Sequence, residues 1–249
     1  MKKQLSITLA AIGLFLFFLV ANLPASQVIA RVTLPKEVSV IGVSGTLWAG
    51  HADQVIVQGL ALSNVNWDLA FLPLLLGKAT VHIDAGSARD SDQISLQGDI
   101  TLTPSGISAQ NTTLFAPTPL LMAQVQLPIA VDAAGRARVQ VETFSYHKET
   151  GCQSLKGTGS WLNAGVAGFN GQVNLGNFEA TLECDQGPIK ITTRPDNSLN
   201  LAAATLIHHN GKFSVEGQFK VSDALPREVH DAAKFFGAPD EQGFYQIKL

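Results

Sequence analysis

Residues 38–83 constrain the fold more than any other stretch of this chain. They read V-S-V-I-G-V-S-G-T-L-W-A-G-H, then D-Q-V-I-V-Q-G-L-A-L-S-N-V-N-W-D-L, then A-F-L-P-L-L-L-G-K-A-T-V-H-I. Gly45, Gly50, Gly59 and the 73–77 segment divide three short runs of alternating side chains. A period of two puts one face of a pleated strand in an apolar environment and leaves the other in water. Val65, Trp67 and Leu69 point one way; Asn64, Asn66 and Asp68 point the other.

The pattern recurs downstream. Ile94, Leu96, Ile100 and Leu102 alternate with Gln93, Ser95, Gln97, Asp99 and Thr101, and Gly98 on the apolar face marks a bulge or bend. Pro104-Ser105-Gly106 is a turn. Residues 112–122, with Pro117 and Pro119, read as irregular. Val125, Leu127, Ile129 and Val131 alternate, and Ala134-Gly135 links them to Ala137, Val139 and Val141 as a hairpin. Residues 155–161 and 166–175 are glycine-rich strands, and Phe178, Ala180, Leu182 and Cys184 line one face of the next. Gly187-Pro188 and Asn210-Gly211 are further turns. Residues 226–236 form one short helix, with Val229, Ala232, Ala233 and Phe236 at helical spacing and Gly237 as its cap; residues 243–249 are a last strand. Residues 70–76 read as an apolar turn that plugs an end of the sheet. Strands and turns at this spacing predict one antiparallel β architecture, not βαβ units.

Lys2 and Lys3 precede an uncharged run whose dense apolar part is residues 5–23. At about 1.5 Å per residue that part spans roughly 28 Å, close to a hydrocarbon core of about 30 Å. A cleaved signal peptide is the rival reading. Its apolar core is shorter, and Pro24-Ala25-Ser26 fits a cleavage site poorly, so an uncleaved signal anchor is favoured. The two lysines keep residues 1–4 in the cytoplasm. Residues 24–37 then form a juxtamembrane linker, whose 26–32 part extends the helix, and residues 38–249 a β domain across the membrane. Cys152 and Cys184 are the only cysteines. In an oxidising compartment they are candidates for a disulfide; two unpaired thiols are the alternative.

Nothing in the chain carries catalytic chemistry. Gly42-Val43-Ser44-Gly45-Thr46 lacks the last glycine of a nucleophile elbow, and there is no phosphate-binding loop or dinucleotide fingerprint. His208 and His209 are adjacent, so on a strand they face opposite sides and cannot share a metal. The other histidines and the acids Glu142, Glu149, Glu179, Glu183 and Asp185 read as solvent-face residues, and Trp48, Trp67 and Trp161 as core or rim anchors. A net charge of −3 gives no reason to bind nucleic acid. No enzyme, cofactor or metal is expected.

Gly42-Val43-Ser44-Gly45-Thr46-Leu47-Trp48-Ala49-Gly50, then Val65-Asn66-Trp67, then Leu74-Leu75-Leu76-Gly77, and finally Gly237-Ala238-Pro239 before Gly243-Phe244-Tyr245, resemble the type II secretion system protein N family in order and spacing. The anchor, the length and the cysteine pair agree with it. On this resemblance Gly42, Gly45, Leu47, Trp48, Gly50, Trp67 and Gly77 are the motif residues. It implies a single-pass protein of the bacterial inner membrane, most of it periplasmic. Such a protein is an accessory or assembly component for export of folded proteins across the outer membrane, with other secretion components as partners and no catalytic residues. A wider likeness, G-x-L-x-x-G, V-x-W and L-L-x-G, is similar to AsmA-like and bridge-type lipid-transfer proteins. Those curl a long antiparallel sheet around an apolar groove. The expected fold is therefore mainly β: an N-terminal transmembrane helix, one curved antiparallel sheet (groove or sandwich-like), and one short C-terminal helix. The alternative function is a periplasmic groove for lipid or an apolar peptide.

Overall fold

The computed structural model describes residues 2–124, 132–168 and 171–248. Helix α1 (Lys2–Ala21) comes first, and the Asn22 side-chain amide donates to the Phe18 carbonyl at its end. Pro24 has no amide to continue the ladder, and a separate short helix α2 (Ala25–Ile29) follows instead of an extension of α1. Among the described residues, no helix is long and apolar enough to cross a membrane.

The remainder is one antiparallel sheet in which every strand pairs with its neighbours in sequence. Its first strands are β1 (Val38–Gly45), β2 (Ala49–Val57), β3 (Leu60–Leu69), β4 (Ala79–Ala85), β5 (Ser95–Thr103) and β6 (Gly106–Pro117). Long strands β7 (Ala133–His147), β8 (Gly151–Gly168) and β9 (Gly171–Cys184) form the centre. Short strands β10 (Ile189–Thr193), β11 (Ala202–Ile207), β12 (Phe213–Phe219) and β13 (Tyr245–Lys248) complete it. Helices α3 (Phe71–Leu74), α4 (Thr118–Met122) and α5 (Arg227–Ala233) lie in the connections. The expected antiparallel sheet and short C-terminal helix are found, the helix ending in a 3-10 turn (Lys234–Phe236) before Gly237 at φ 106°. The turns at Pro104-Ser105, Gly187-Pro188 and Asn210-Gly211 are also where expected. The bulge at Gly98 appears as a register shift between Gln97 and Asp99.

Four expectations need correction. Residues 112–122 are not irregular: 112–117 continue β6 and 118–122 form α4. Pro117 lies two residues beyond the last β5 pairing at Phe115, so its missing amide breaks no ladder there. Ala134-Gly135 is no turn. It lies inside β7 at a bulge facing β8, and a positive φ, here 103° at Gly135, serves a bulge as well as a turn. The proposed partner strand at residues 125–131 falls outside the described residues. Residues 166–175 are not one strand, because the chain reverses between Gly168 and Gly171, which pair across the ladder. Residues 70–76 plug nothing: Leu72, Leu75 and Leu76 are 73%, 70% and 78% exposed.

The sheet is an open single layer. The whole chain, the exposed α1 included, has an accessible surface of 16133 Å², against about 10,600 Å² for a compact monomer of this mass. No large side chain among the described residues is fully buried, and the buried clusters are small and local. A filled sandwich would interdigitate side chains from two layers at crystal-like density. Cys152 and Cys184 are disulfide-bonded, with Cα atoms 5.6 Å apart, tying the start of β8 to the end of β9.

Candidate functional site

Residues directly opposite one another in antiparallel strands share a face, so the ladder pairs trace what each side of the sheet presents. One row runs Ala85, Leu96, Leu114, Val139, Gly159, Ala180 across six strands. Another runs Val141, Gly157, Leu182, Ile191, Thr205, Val215. A third runs Val81, Ile100, Ala109, Phe144, Leu155. The face assignment of Leu96, Gly98, Ile100 and Leu102 therefore holds, and it extends over most of the sheet; Ser95, expected on the wet face, is instead buried at 5% exposure. Gly159 in the first row leaves room above the layer, whereas at Gly157 the Gln140 carbonyl and the Leu182 side chain already take the place of a side chain.

The opposite face is polar and ionic. His82 pairs with Asp99 at 2.8 Å, Thr80 with Thr101, Lys156 with Glu142, Lys190 with Glu183, Arg194 with Glu179 and Lys248 with Glu216. These pairs are solvated and contribute little stability each. They fix which face meets water.

Among the described residues the apolar face is packed mainly at its two flanks, and α4 also lies against β6 and β7. On β1–β5, Ala52, Val65 and Ala85 are buried, with Val40, Val43, Val55, Leu62, Trp67, Ile83 and Leu96 packed around them. On β12, Phe219 and Val221 pack under Ala233 and Val229 of α5, and Phe219 meets Phe236 and Tyr245 with ring centroids 5.1 and 5.3 Å apart. Val229 and Leu225 also touch the cluster of Ala164, Val173, Leu175 and Phe178 on β8 and β9. Between these flanks, Leu114, Val139, Val141, Phe144, Leu155 and Leu182 are only half-buried. This is a broad apolar trough, able to bind by contact and desolvation. Among the described residues no group of three or more His, Cys, Asp and Glu could hold a metal ion.

The motif residues gather at one corner. Gly45 ends β1 with φ 78°, and the turn of Thr46, Leu47 and Trp48 leads into β2. The Trp67 indole N–H donates to the Leu47 carbonyl at 3.1 Å, and its ring fills the space beside Gly50 where a Cβ would stand. The Trp48 indole N–H donates to the Val20 carbonyl at 2.8 Å, and the Leu47 amide to the Leu23 carbonyl at 2.8 Å. These two bonds lock the sheet to the end of α1. Gly42 stands apart, at φ 69° beside the Asp53 side chain, and Gly77, at φ 72°, ends the turn after α3. The link from Trp48 to Val20 is invisible in the sequence, because the residues are 28 positions apart and neither pattern demands the other. Also missed are Arg136 and Arg138, whose guanidinium carbons lie 4.6 and 5.6 Å from the Phe115 ring centre.

The family described as "Type II secretion system (T2SS), protein N" matches residues 36–248. Proteins named type II secretion system protein N align along nearly the whole chain. That of Vibrio cholerae serotype O1 is 26% identical, covering 98% of this chain and 97% of the relative. That of Aeromonas hydrophila is 26% identical, covering 100% and 98%. That of Klebsiella pneumoniae is 25% identical, covering 98% and 94%. No solved structure matches the chain. With a family match over all thirteen strands, and with relatives of that name aligning end to end, the chain belongs to the type II secretion system protein N family.

Proposed function

We propose that this protein is an inner-membrane accessory or assembly component of the type II secretion apparatus, without catalytic activity, serving export of folded proteins across the outer membrane. Residues 5–23 anchor it, residues 1–4 face the cytoplasm, residues 24–37 link, and residues 38–249 form the periplasmic domain. The observation that carries this reading is the family match over residues 36–248 together with end-to-end relatives bearing the same name. A disulfide between Cys152 and Cys184 suits a periplasmic location. Copurification from the native envelope tests it: other secretion components come down with the tagged chain, and their absence overturns the role. N-terminal sequencing tests the anchor. Mature protein starts at Met1 or Lys2, and a start at Ser26, Gln27 or Arg31 would show a cleaved leader instead.

The half-buried apolar side chains over the central strands favour a second reading, compatible with the first: the sheet holds a lipid or an apolar peptide. A photocrosslinking residue at Phe144 captures such a ligand in cells. No adduct at Phe144, with efficient crosslinking elsewhere, removes this reading.

A further inference from the structure

Residues 71–76 place four apolar side chains in the open within six positions: Phe71 is 48% exposed, and Leu72, Leu75 and Leu76 are 70% or more. A soluble surface does not concentrate large aliphatic side chains this way without a purpose. Residues 70–79 carry one charge, Lys78, and no carboxylate.

This segment is held rigidly against the end of α1. The Leu69 amide donates to the Trp48 carbonyl at 2.6 Å, the Phe71 ring lies edge-on to the Trp48 ring at 5.1 Å, and Trp48 is bonded to Val20. Phe17, Val20, Ala21, Trp48 and Phe71 line one wholly apolar recess of about 290 Å³. On the helix side Phe15, Phe17 and Val20 are themselves exposed. The apolar surface of α1 and that of residues 71–76 are thus continuous, and whatever covers one reaches the other.

We propose that residues 71–76 insert into the periplasmic leaflet of the inner membrane beside α1, as a second contact with the bilayer. This rests on the reading of α1 as the anchor. A bilayer suits the segment better than a protein does. Four side chains supply far less than the roughly 800 Å² per partner of a stable protein interface, whereas hydrocarbon needs no shape match. Trp48, with a ring in the apolar recess, and Lys78, with a long stem and a charged head, are residue types that favour the headgroup level. The consequence concerns the trough. The row Ala79, Leu102, Ile107 begins directly after Lys78 and belongs to the apolar face, with Leu102 and Ile107 exposed. Inserting residues 71–76 sets that end of the apolar face against the lipid, so that an acyl chain can pass from leaflet to trough without crossing water.

The full-length protein, whose native cysteines are disulfide-bonded and bind no thiol probe, is reconstituted into vesicles of phosphatidylethanolamine and phosphatidylglycerol, with or without doxyl-labelled lipid. Bimane is attached at Leu72→Cys or Leu75→Cys, at Phe18→Cys within α1, and at Ser91→Cys in the loop at the opposite end of the sheet. The expected result is blue-shifted emission quenched by doxyl lipid at Leu72, Leu75 and Phe18, and no quenching at Ser91. Quenching at Phe18 but not at Leu72 or Leu75 overturns this inference and leaves the anchor standing. A blue shift at Leu75 without quenching means a second copy covers it, and also overturns it. Quenching at none of the sites removes the anchor and the inference with it.

Discussion

Gly50 and Trp67 face each other across the β2–β3 ladder, and the indole of Trp67 occupies the volume that a side chain at Gly50 would need. The ring can lie there because its N–H donates to the Leu47 carbonyl, which also pins the turn that carries Trp48. Glycine and tryptophan form one joint, fixing the corner where the sheet meets α1.

That joint is sensitive to volume. Gly50→Val drives a branched side chain into the Trp67 ring and the Thr46 carbonyl, and overpacking of this kind costs about 1–3 kcal/mol. Trp67→Phe removes the bond to Leu47 and costs about 1 kcal/mol. Thermal melting of both variants checks the order, Gly50→Val being the more damaging. A Gly50→Val protein with an unchanged melt would show that the ring moves freely.

The trough makes opposite forecasts for two valines on the same face. Val65 is buried among Ala52 and Ala85, so Val65→Asp buries an unpaired carboxylate at a cost of several kcal/mol and unfolds the domain. Val139 stands half-buried on the central strands, where water reaches a carboxylate. Val139→Asp therefore keeps the circular dichroism of the parent and loses secretion or ligand retention. Global unfolding of the Val139 variant would mean that the centre is a closed core.

Cys152 and Cys184 are 32 residues apart in sequence, and closing a loop of that length stabilises by about 3–4 kcal/mol in the chain-entropy model. Cys152→Ser with Cys184→Ser lowers the melting temperature by a corresponding amount without altering the strand order. Alkylation of the denatured parent protein without reductant finds no free thiol. Two labelled cysteines would refute the bond.

Asp231 accepts a hydrogen bond from Lys234 at 2.6 Å on the surface of α5. That bond, and then the Lys234 charge, hold the Asp231 carboxyl below the usual carboxylate range, and the same bond raises the Lys234 ammonium. A depressed carboxyl contributes stability above its unfolded value and loses it as pH falls through the folded one. A raised lysine contributes below its unfolded value and loses it as pH rises through the folded one. Asp231→Asn is therefore slightly less stable than the parent across neutral pH, with the difference vanishing in acid. Both side chains are mostly exposed, so the difference is small and falls with added salt. Melting temperatures against pH, at two ionic strengths, measure it.

Strand character, most turns and the two faces of the sheet were legible in the residues alone, because a period of two and a Gly or Pro at each reversal are local properties of the chain. Leu96, Ile100 and Leu102 needed no partner to declare their side, and Asn210-Gly211 announces its hairpin within two residues. That the Ala134-Gly135 break is a bulge needed the folded chain, since a positive φ fits either a bulge or a turn and the facing strand selects between them. That the apolar side chains of the middle strands are only half-buried also needed the folded chain, because burial depends on what comes to rest above, which no local pattern encodes. The corner where Trp48 reaches Val20 was decided the same way. A bond across 28 residues arises when the chain turns back on itself, and no periodicity in either segment records that return.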